Sequence, residues 1–305
     1  MKRTKVILLA SLLVFSAGCQ APSPSADEQV PADPPDYTSA KVSYLGPEGT
    51  YTQEACGTFF AKQGTYIPCD TVGTAVEALI VGETDYAVIP QENTIGGAVI
   101  DYVDILIAHT EVSVVGEVEL PIRQNLLVLP GTALSDIKTV YSHQQGIVQG
   151  KEWLEKNLPD AEVIEVSSTA EGAKMVAEGK DSSCAAIASA ACADVYGLAI
   201  LAESIQNNDS NKTRFYVLSL REPSAADGSR LAFVASGPAS DLPDLMQEME
   251  AQGMTLVTIH DRPRKTELGQ YNYLIECTGG SYEKYRKLAS AGSFSFRYLG
   301  SFDVH

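Results

Sequence analysis

The chain has 305 residues, enough for one large or two modest domains with cores of their own. Its 22 Lys and Arg face 39 Asp and Glu, a formal net charge of -17, which argues against nucleic acid or an anionic bilayer surface as the main partner. An anionic substrate must therefore be captured by local groups.

Residues 1–19 read as an export signal: Lys2, Arg3 and Lys5, an apolar run over 6–15, then Ser16-Ala17-Gly18-Cys19. The run is too short for a stable membrane span. Small residues directly before a cysteine resemble the bacterial lipoprotein signal, so cleavage before Cys19 and lipid attachment to it are expected. That reading makes the chain an exported, membrane-anchored lipoprotein facing the periplasm or the cell exterior. Residues 20–40 are rich in Pro, Ser and acids and read as a disordered spacer. The later cysteines, Cys56, Cys69, Cys184, Cys192 and Cys277, lack the close pairs of a zinc or dithiol site. No metal is expected, and burial as small hydrophobes is their expected role.

From residue 41, β-rich runs alternate with helical patterns, as in an α/β domain. The first strand, Val42-Ser43-Tyr44-Leu45, leads through Gly46-Pro47-Glu48-Gly49 to Thr50, which has capping-box spacing with Gln53. The same spacing recurs at Thr74 with Glu77, at Ser142 with Gln145 and at Ser168 with Glu171. Helix N-termini beyond the carboxyl ends of strands are where open α/β sheets bind anions, each worth about 0.3 to 1 kcal/mol to a nearby charge. At Gln145 the spacing leaves two readings open, an amide that reaches back to the Ser142 N–H or one that faces a ligand. His143 likewise reads as a solvated turn residue or as a catalytic one.

A fifth junction follows "DYAVIP": Gln91-Glu92-Asn93-Thr94, then Ile95-Gly96-Gly97 opening the helix "AVIDYVDILIAH". An acid, an amide and a hydroxyl sit between a buried strand and two glycines that allow close backbone approach. Further on, "SNKTRFYVLSL" runs from a polar loop into a strand with Thr213 at its start. The remainder reads strand, helix, strand, strand, helix, strand, a βαββαβ unit in which Leu242, Leu245, Met246 and Met249 share one helical face.

The stretches "YLGPEGTYT", "VIPQENTIGG", "YSHQQ", "SSTAEGA", "AAIAS", "YGLAIL" and "NKTRF" resemble, in this order, those of prephenate dehydratases. The resemblance implies a two-lobed α/β catalytic domain over residues 41–221, like a type II periplasmic binding protein, followed by a ferredoxin-like ACT domain over 229–305. It implies conversion of prephenate, a dianion, to phenylpyruvate with no cofactor, since aromatisation drives the reaction. Asn93, Gln145 and Thr213 occupy the family's catalytic or substrate-binding positions. Glu92 and His143 are candidates to help deliver a proton to the leaving hydroxyl, and Thr50, Ser142, Ser168, Thr169 and Arg214 to hold carboxylates. Strand alternation leaves open which way Arg214 faces, and Phe215 reads as core.

Several positions depart from the family pattern: Gln91 stands for an Ile, Gln144 for a Pro and Gln124 for a His. In the ACT unit, Ser240-Asp241-Leu242 and His260-Asp261-Arg262-Pro263 replace a Gly-Ala-Leu turn and a Glu-Ser-Arg-Pro motif. An effector site at Asp241, Leu242, Arg262 and Pro263 should therefore bind phenylalanine weakly or not at all. ACT domains commonly pair, which implies a homodimer. Two other readings stand beside this one. An arogenate dehydratase differs only by an amino group on the substrate. A non-catalytic solute-binding lipoprotein of similar fold is opposed by the joint presence of Asn93, Gln145 and Thr213.

Overall fold

The computed structural model describes residues 35–290 and 292–305; the expected signal segment and Cys19 lie outside the described residues. Residues 36–305 form one compact unit. The spacer expected over 20–40 ends before residue 40. Tyr37 packs its ring edge-on against Phe60 with centroids 4.9 Å apart, its N–H donates to Gln63 Oε1 at 2.8 Å, and Ala40 is buried. One large aromatic side chain beside Phe59, Phe60 and Tyr86 is enough to seat this short segment.

The first lobe runs β1 (Lys41–Leu45), α1 (Tyr51–Phe59), β2 (Thr65–Cys69), α2 (Val72–Ile80), β3 (Tyr86–Asn93), the short β4 (Gly97–Ala98), α3 (Ile100–Ala108) and β5 (Ser113–Pro121). The second lobe runs β6 (Asn125–Val128), β7 (Thr139–Ser142), α4 (Gln144–Asn157), β8 (Glu162–Glu165), α5 (Thr169–Gly179), β9 (Cys184–Ala188), α6 (Ala190–Tyr196) and β10 (Ala199–Ala202). The chain then returns to the first lobe as β11 (Lys212–Ser219), so it crosses between lobes twice, after β5 and after β10. The first sheet has the order β2-β1-β3-β11-β5 with β4 on β3, and the second β10-β6-β9-β7-β8.

Residues 230–302 supply β12 (Arg230–Pro238), α7 (Leu242–Ala251), β13 (Thr255–Pro263), β14 (Gln270–Thr278), α8 (Tyr282–Ala289) and β15 (Ser295–Phe302). Their antiparallel sheet has the order β13-β14-β12-β15, the βαββαβ unit expected from the sequence. Leu245 and Met249 are buried against it, with Leu242 and Met246 packed beside them.

Period-2 alternation sorts the first sheet's two faces. Val42, Tyr44, Val88, Phe215 and Val217 meet Ala55, Cys56 and Phe60. Ala87, Ile89, Tyr216 and Leu218 meet α2, α3 and the C-terminal sheet through Ala232, Val234, Leu274, Leu299 and Phe302. Each fully buried Val, Leu, Ile or Phe side chain contributes about 1.5–3 kcal/mol, and this second cluster is drawn from both parts of the chain. The C-terminal unit thus shares a core with the first lobe. At Gly300 (φ 153°), a side-chain Cβ would stand 2.2 Å from the Val114 carbonyl oxygen, so glycine lets β15 lie against β5. The last residues continue the contact: Glu117 N–H donates to Asp303 O at 3.1 Å and His305 N–H to Glu117 O at 2.9 Å.

Two expected helix starts move. α2 is capped by Thr71, with Thr74 at N3 returning its hydroxyl to the Thr71 N–H at 3.0 Å, one turn before the expected cap at Thr74. α3 starts at Ile100 because Gly97-Ala98 pair with Asn93 and Glu92 as a strand.

Candidate active site

Between the lobes lies a cavity of about 250 Å³ lined by the N-termini of α1, α4 and α5 and by the ends of β3 and β11. Of the residues singled out in the sequence, Thr50, Asn93, His143, Gln145, Ser168, Thr169 and Thr213 line it. None of the described lining residues is Lys or Arg.

Asn93 and Thr213 are direct partners across the antiparallel β3–β11 ladder. Simple alternation would not aim Asn93 into the cleft, because Pro90, of opposite parity, already faces it. The register shifts between Arg214 and Phe215, which pair with Glu92 and Pro90, leaving Gln91 as the extra residue of a β-bulge. Gln91 and Glu92 then both turn to the far side, and Asn93 returns to the cleft.

The Asn93 amide is held at both ends. Its Oδ1 accepts from the N–H groups of Ile95 at 3.0 Å and Gly96 at 2.8 Å, which fixes the amide's orientation. Its Nδ2 donates to Thr213 Oγ1 at 2.8 Å, Asn211 Oδ1 at 3.0 Å and Lys212 O at 3.2 Å. The Thr213 oxygen is thus an acceptor, and among the described residues nothing takes its own hydrogen. Thr213 is 9% exposed and has Phe215 beside it as a wall of the cavity. Gln145 Nε2 sits 3.5 Å from Asn93 Oδ1. A Cβ at Gly96 would come within 2.4 Å of that nitrogen, so this glycine admits the Gln145 side chain.

The cap of α4 is His143, whose Nδ1 accepts from Gln145 N–H at 3.2 Å, and not Ser142 as its spacing suggested. Gln145 is therefore at N2 and does not reach back to Ser142. That cap puts the proton of a neutral imidazole on Nε2. Ser142 is fully buried and donates to Ile187 O at 2.7 Å; the carboxylate-holding role expected of it is withdrawn. Thr50 caps α1 through Gln53 N–H at 3.4 Å, while the Gln53 side chain accepts from Gly49 N–H. Ser168 caps α5 by accepting from Glu171 N–H at 3.0 Å, as its spacing predicts.

Arg214 and Glu92 do not reach the cavity. Arg214 donates through Nε and Nη2 to Glu117 at 2.6 and 2.9 Å, through Nη1 to Glu92 at 3.3 Å and through Nη2 to Glu276. One residue past Thr213 on a strand, it faces the C-terminal sheet. Both the carboxylate-binding role of Arg214 and the proton-delivery role of Glu92 are thereby corrected. Burial would lower the Arg214 guanidinium, but its bonds to Glu117 and the charges of Glu276 and Glu117 outweigh that and raise it above its ordinary value. Burial pushes the Glu117 carboxyl up, and its bonds to Arg214 only partly offset this.

The effector candidates are dispersed. Asp241 accepts from the hydroxyls of Ser240 and Ser293, Leu242 starts α7, and Pro263 ends β13. Arg262 forks onto Asp104 of α3 with both contacts at 2.5 Å. A cavity beside α7 takes in Asp241 but none of the other three. Sequence reading missed Gln149, one helical turn beyond Gln145, whose Oε1 accepts from Gln124 Nε2 at 2.9 Å in the cavity wall. The i, i+4 step from Gln145 was the available signal. It also missed Ser189, the buried cap of α6, which donates across the lobes to Gly49 O at 2.8 Å. Among the described residues no group of three or more His, Cys, Asp and Glu is arranged to hold a metal ion.

Residues 42–223 match the family model for prephenate dehydratase. The chain belongs to the prephenate dehydratase family. It is 36% identical over 240 residues to a bifunctional chorismate mutase/prephenate dehydratase of Neisseria gonorrhoeae, covering 78% of this chain and 66% of that one. The chain thus spans about two thirds of the length of that relative. A prephenate dehydratase of Amycolatopsis methanolica is 31% identical over 274 residues, 86% of this chain and 88% of the other. Among solved structures, the prephenate dehydratase of Arthrobacter aurescens in complex with L-Phe superimposes with a TM-score of 0.75 at 30% identity, over 86% of this chain and 90% of that one.

Proposed function

We propose that the chain catalyses the decarboxylative dehydration of prephenate to phenylpyruvate. The observation that carries this reading is the Thr213 hydroxyl, which accepts from Asn93 and keeps its own hydrogen free to donate into the cleft. In the reaction the bond from the ring to its carboxylate breaks and the electron pair enters the ring. The C4–O bond breaks in turn, and the departing hydroxide takes up one proton and leaves as water. Thr213 donates to the departing oxygen, which takes its net proton from solvent, while His143, with Nδ1 spent on the Gln145 N–H, offers Nε2–H to the cleft as a hydrogen-bond donor only. Asn93 orients Thr213, and Gln145 lies against Asn93 at the same end of the cleft.

The N-termini of α1, α4 and α5 hold the carboxylates with N–H groups, hydroxyls and dipoles. A fixed cation on the ring carboxylate would stabilise charge in the ground state that must leave in the transition state. The cleft's neutral donors avoid that penalty. Leu45, Pro90, Ile122 and Phe215 give the ring an apolar wall. Purified chain supplied with prephenate at neutral pH should release phenylpyruvate and carbon dioxide in equal amounts. Binding without product sinks the reading.

The two lobes, crossed twice by the chain, support a likeness to type II periplasmic binding proteins, and the βαββαβ unit supports an ACT domain that pairs in a homodimer. Arg262 is already committed to Asp104, which supports weak or absent phenylalanine inhibition. A robust response to micromolar phenylalanine counts against it. The export signal and Cys19 support a lipid-anchored protein facing the periplasm or the cell exterior, checked by labelling with a fatty-acid probe before and after Cys19→Ala.

A further inference from the structure

The charged cluster behind the catalytic strands contains residues that the proposed chemistry leaves idle. Glu276, on β14 of the C-terminal unit and 2% exposed, meets three first-lobe side chains. Gln91 Nε2 donates to its Oε2 at 3.0 Å, Arg214 Nη2 to its Oε1 and the Tyr216 hydroxyl to its Oε2. Arg230 Nε of β12 stands 3.1 Å from Oε1 at ion-pair distance, without hydrogen-bond alignment.

The positions of these partners matter. Gln91 is the extra residue of the bulge that turns Asn93 into the cleft. Arg214 and Tyr216 lie one and three residues beyond Thr213 on the facing strand. One carboxylate therefore grips both strands beside the pair that meets the substrate. Gln91 is 1% exposed, its Oε1 has no partner, and Glu276 takes its one side-chain hydrogen bond. A buried amide left without that bond would lose about 1–3 kcal/mol, so the contact defines where the bulge residue sits.

We propose that Glu276 is a positioning residue for the dehydratase reaction: through Gln91, Arg214 and Tyr216 it sets the spacing of Asn93 and Thr213, making the C-terminal unit part of the catalytic apparatus. The assignment rests on the dehydratase reading of the cleft. Displacements near 1 Å at a reacting pair cost on the order of 100-fold in rate, so a looser bulge should show in kcat before it shows in binding.

The experiment compares Gln91→Leu and Glu276→Gln with the wild type in the full chain. Gln91→Leu leaves Glu276 bonded to Arg214 and Tyr216, so it should fold. We expect its kcat to fall about tenfold with KM for prephenate within about twofold, and kcat in Glu276→Gln to fall at least as far. Amide hydrogen exchange over residues 90–98 should speed up in Gln91→Leu. Wild-type kcat in Gln91→Leu, with or without a lowered melting temperature, overturns the proposal. If the wild-type chain does not turn over prephenate, the dehydratase reading fails on its own. Exchange then decides the clamp: unchanged rates over 90–98 in Gln91→Leu sink it, and faster rates support it.

Discussion

The two faces of the β3–β11 ladder are built from neighbouring residues and do opposite work. On the cleft face, Asn93 and Thr213 are neutral, and Thr213 keeps a hydrogen to give. On the far face, Glu92 and Arg214, the very next residues, join Glu117 and Glu276 in a buried charge cluster whose donors and acceptors are largely spent on one another. Permanent charge is placed where it holds the molecule together, and dipoles are placed where charge must come and go. A strand supplies both because its side chains alternate, and the bulge at Gln91 adjusts which residue lands on which face.

The largest expected effect comes from breaking the charged face. Arg214→Met leaves Glu117 (0% exposed) and Glu276 (2%) without their main partner, and removing one member of a buried ion cluster costs about 3–5 kcal/mol. Urea unfolding at pH 8 should show a loss of that size. Burial already pushes the Glu117 carboxyl up, and the variant removes the Arg214 bonds that offset it, so it should lose less at pH 5, where Glu117 binds a proton more readily, than at pH 8. Equal losses at both values would mean that the cluster is not the seat of the effect.

Next in size is the cleft face. Thr213→Val keeps shape and removes the hydroxyl, while Asn93 Nδ2 still has Asn211 and Lys212 as acceptors. The fold should therefore survive, and kcat should drop by roughly 100-fold or more, the usual worth of a positioned hydrogen-bond donor in a transition state. A melting temperature near wild type with kcat also near wild type removes Thr213 from the chemistry. Smaller still are the helix ends. Ser168→Ala removes a cap and one hydroxyl facing the cavity, and Thr50→Ala removes a cap whose hydroxyl already donates to Leu45 O at 3.3 Å, each worth about 1 kcal/mol. KM for prephenate should rise about three- to tenfold with kcat little changed, and a purely kcat-borne loss would show that these groups do not hold carboxylates in the ground state.

The contrast between the faces also explains what could be read from the sequence. Helix N-termini after strands were visible as polar residues at fixed spacing, and three of them do converge on the cleft. Ser142 and His143 exchanged roles because either residue can end the strand and cap the helix. The winner depends on whether Ile187, distant in sequence, offers a carbonyl to Ser142. Glu92 was misassigned for a related reason: the bulge that turns it to the far side depends on pairing with β11, whereas the facing of Arg214 follows from alternation once Thr213 is placed in the cleft. The polar cluster around Asn93 was legible as a junction between a buried strand and two glycines, whereas Thr213 read by itself as a strand-entry residue and was singled out by the resemblance to the family. Their mutual hydrogen bond, and the reach of Glu276 behind them, arise only from long-range packing.

His260 offers the mildest test of the far face. Half-buried on β13, it shares a 2.8 Å hydrogen bond with Thr258 Oγ1 and turns its ring edge-on to Tyr102 at 5.8 Å. Burial lowers its pKa below 6.5; the charges of Glu92, Asp261 and Glu276 pull it back up, and that of Arg214 adds to the lowering. The unfolded chain therefore binds the imidazole proton more readily than the folded one. Its contribution to stability is present above pH 6.5 and lost as pH falls through that value toward the folded pKa. Since the ring keeps much of its water, the effect should stay below about 1 kcal/mol. Urea midpoints at pH 7.5 and 5.5 should fall further on acidification in the wild type than in His260→Gln. An equal fall in both would show that the charges around His260 cancel its burial, leaving the far face indifferent to pH in this range.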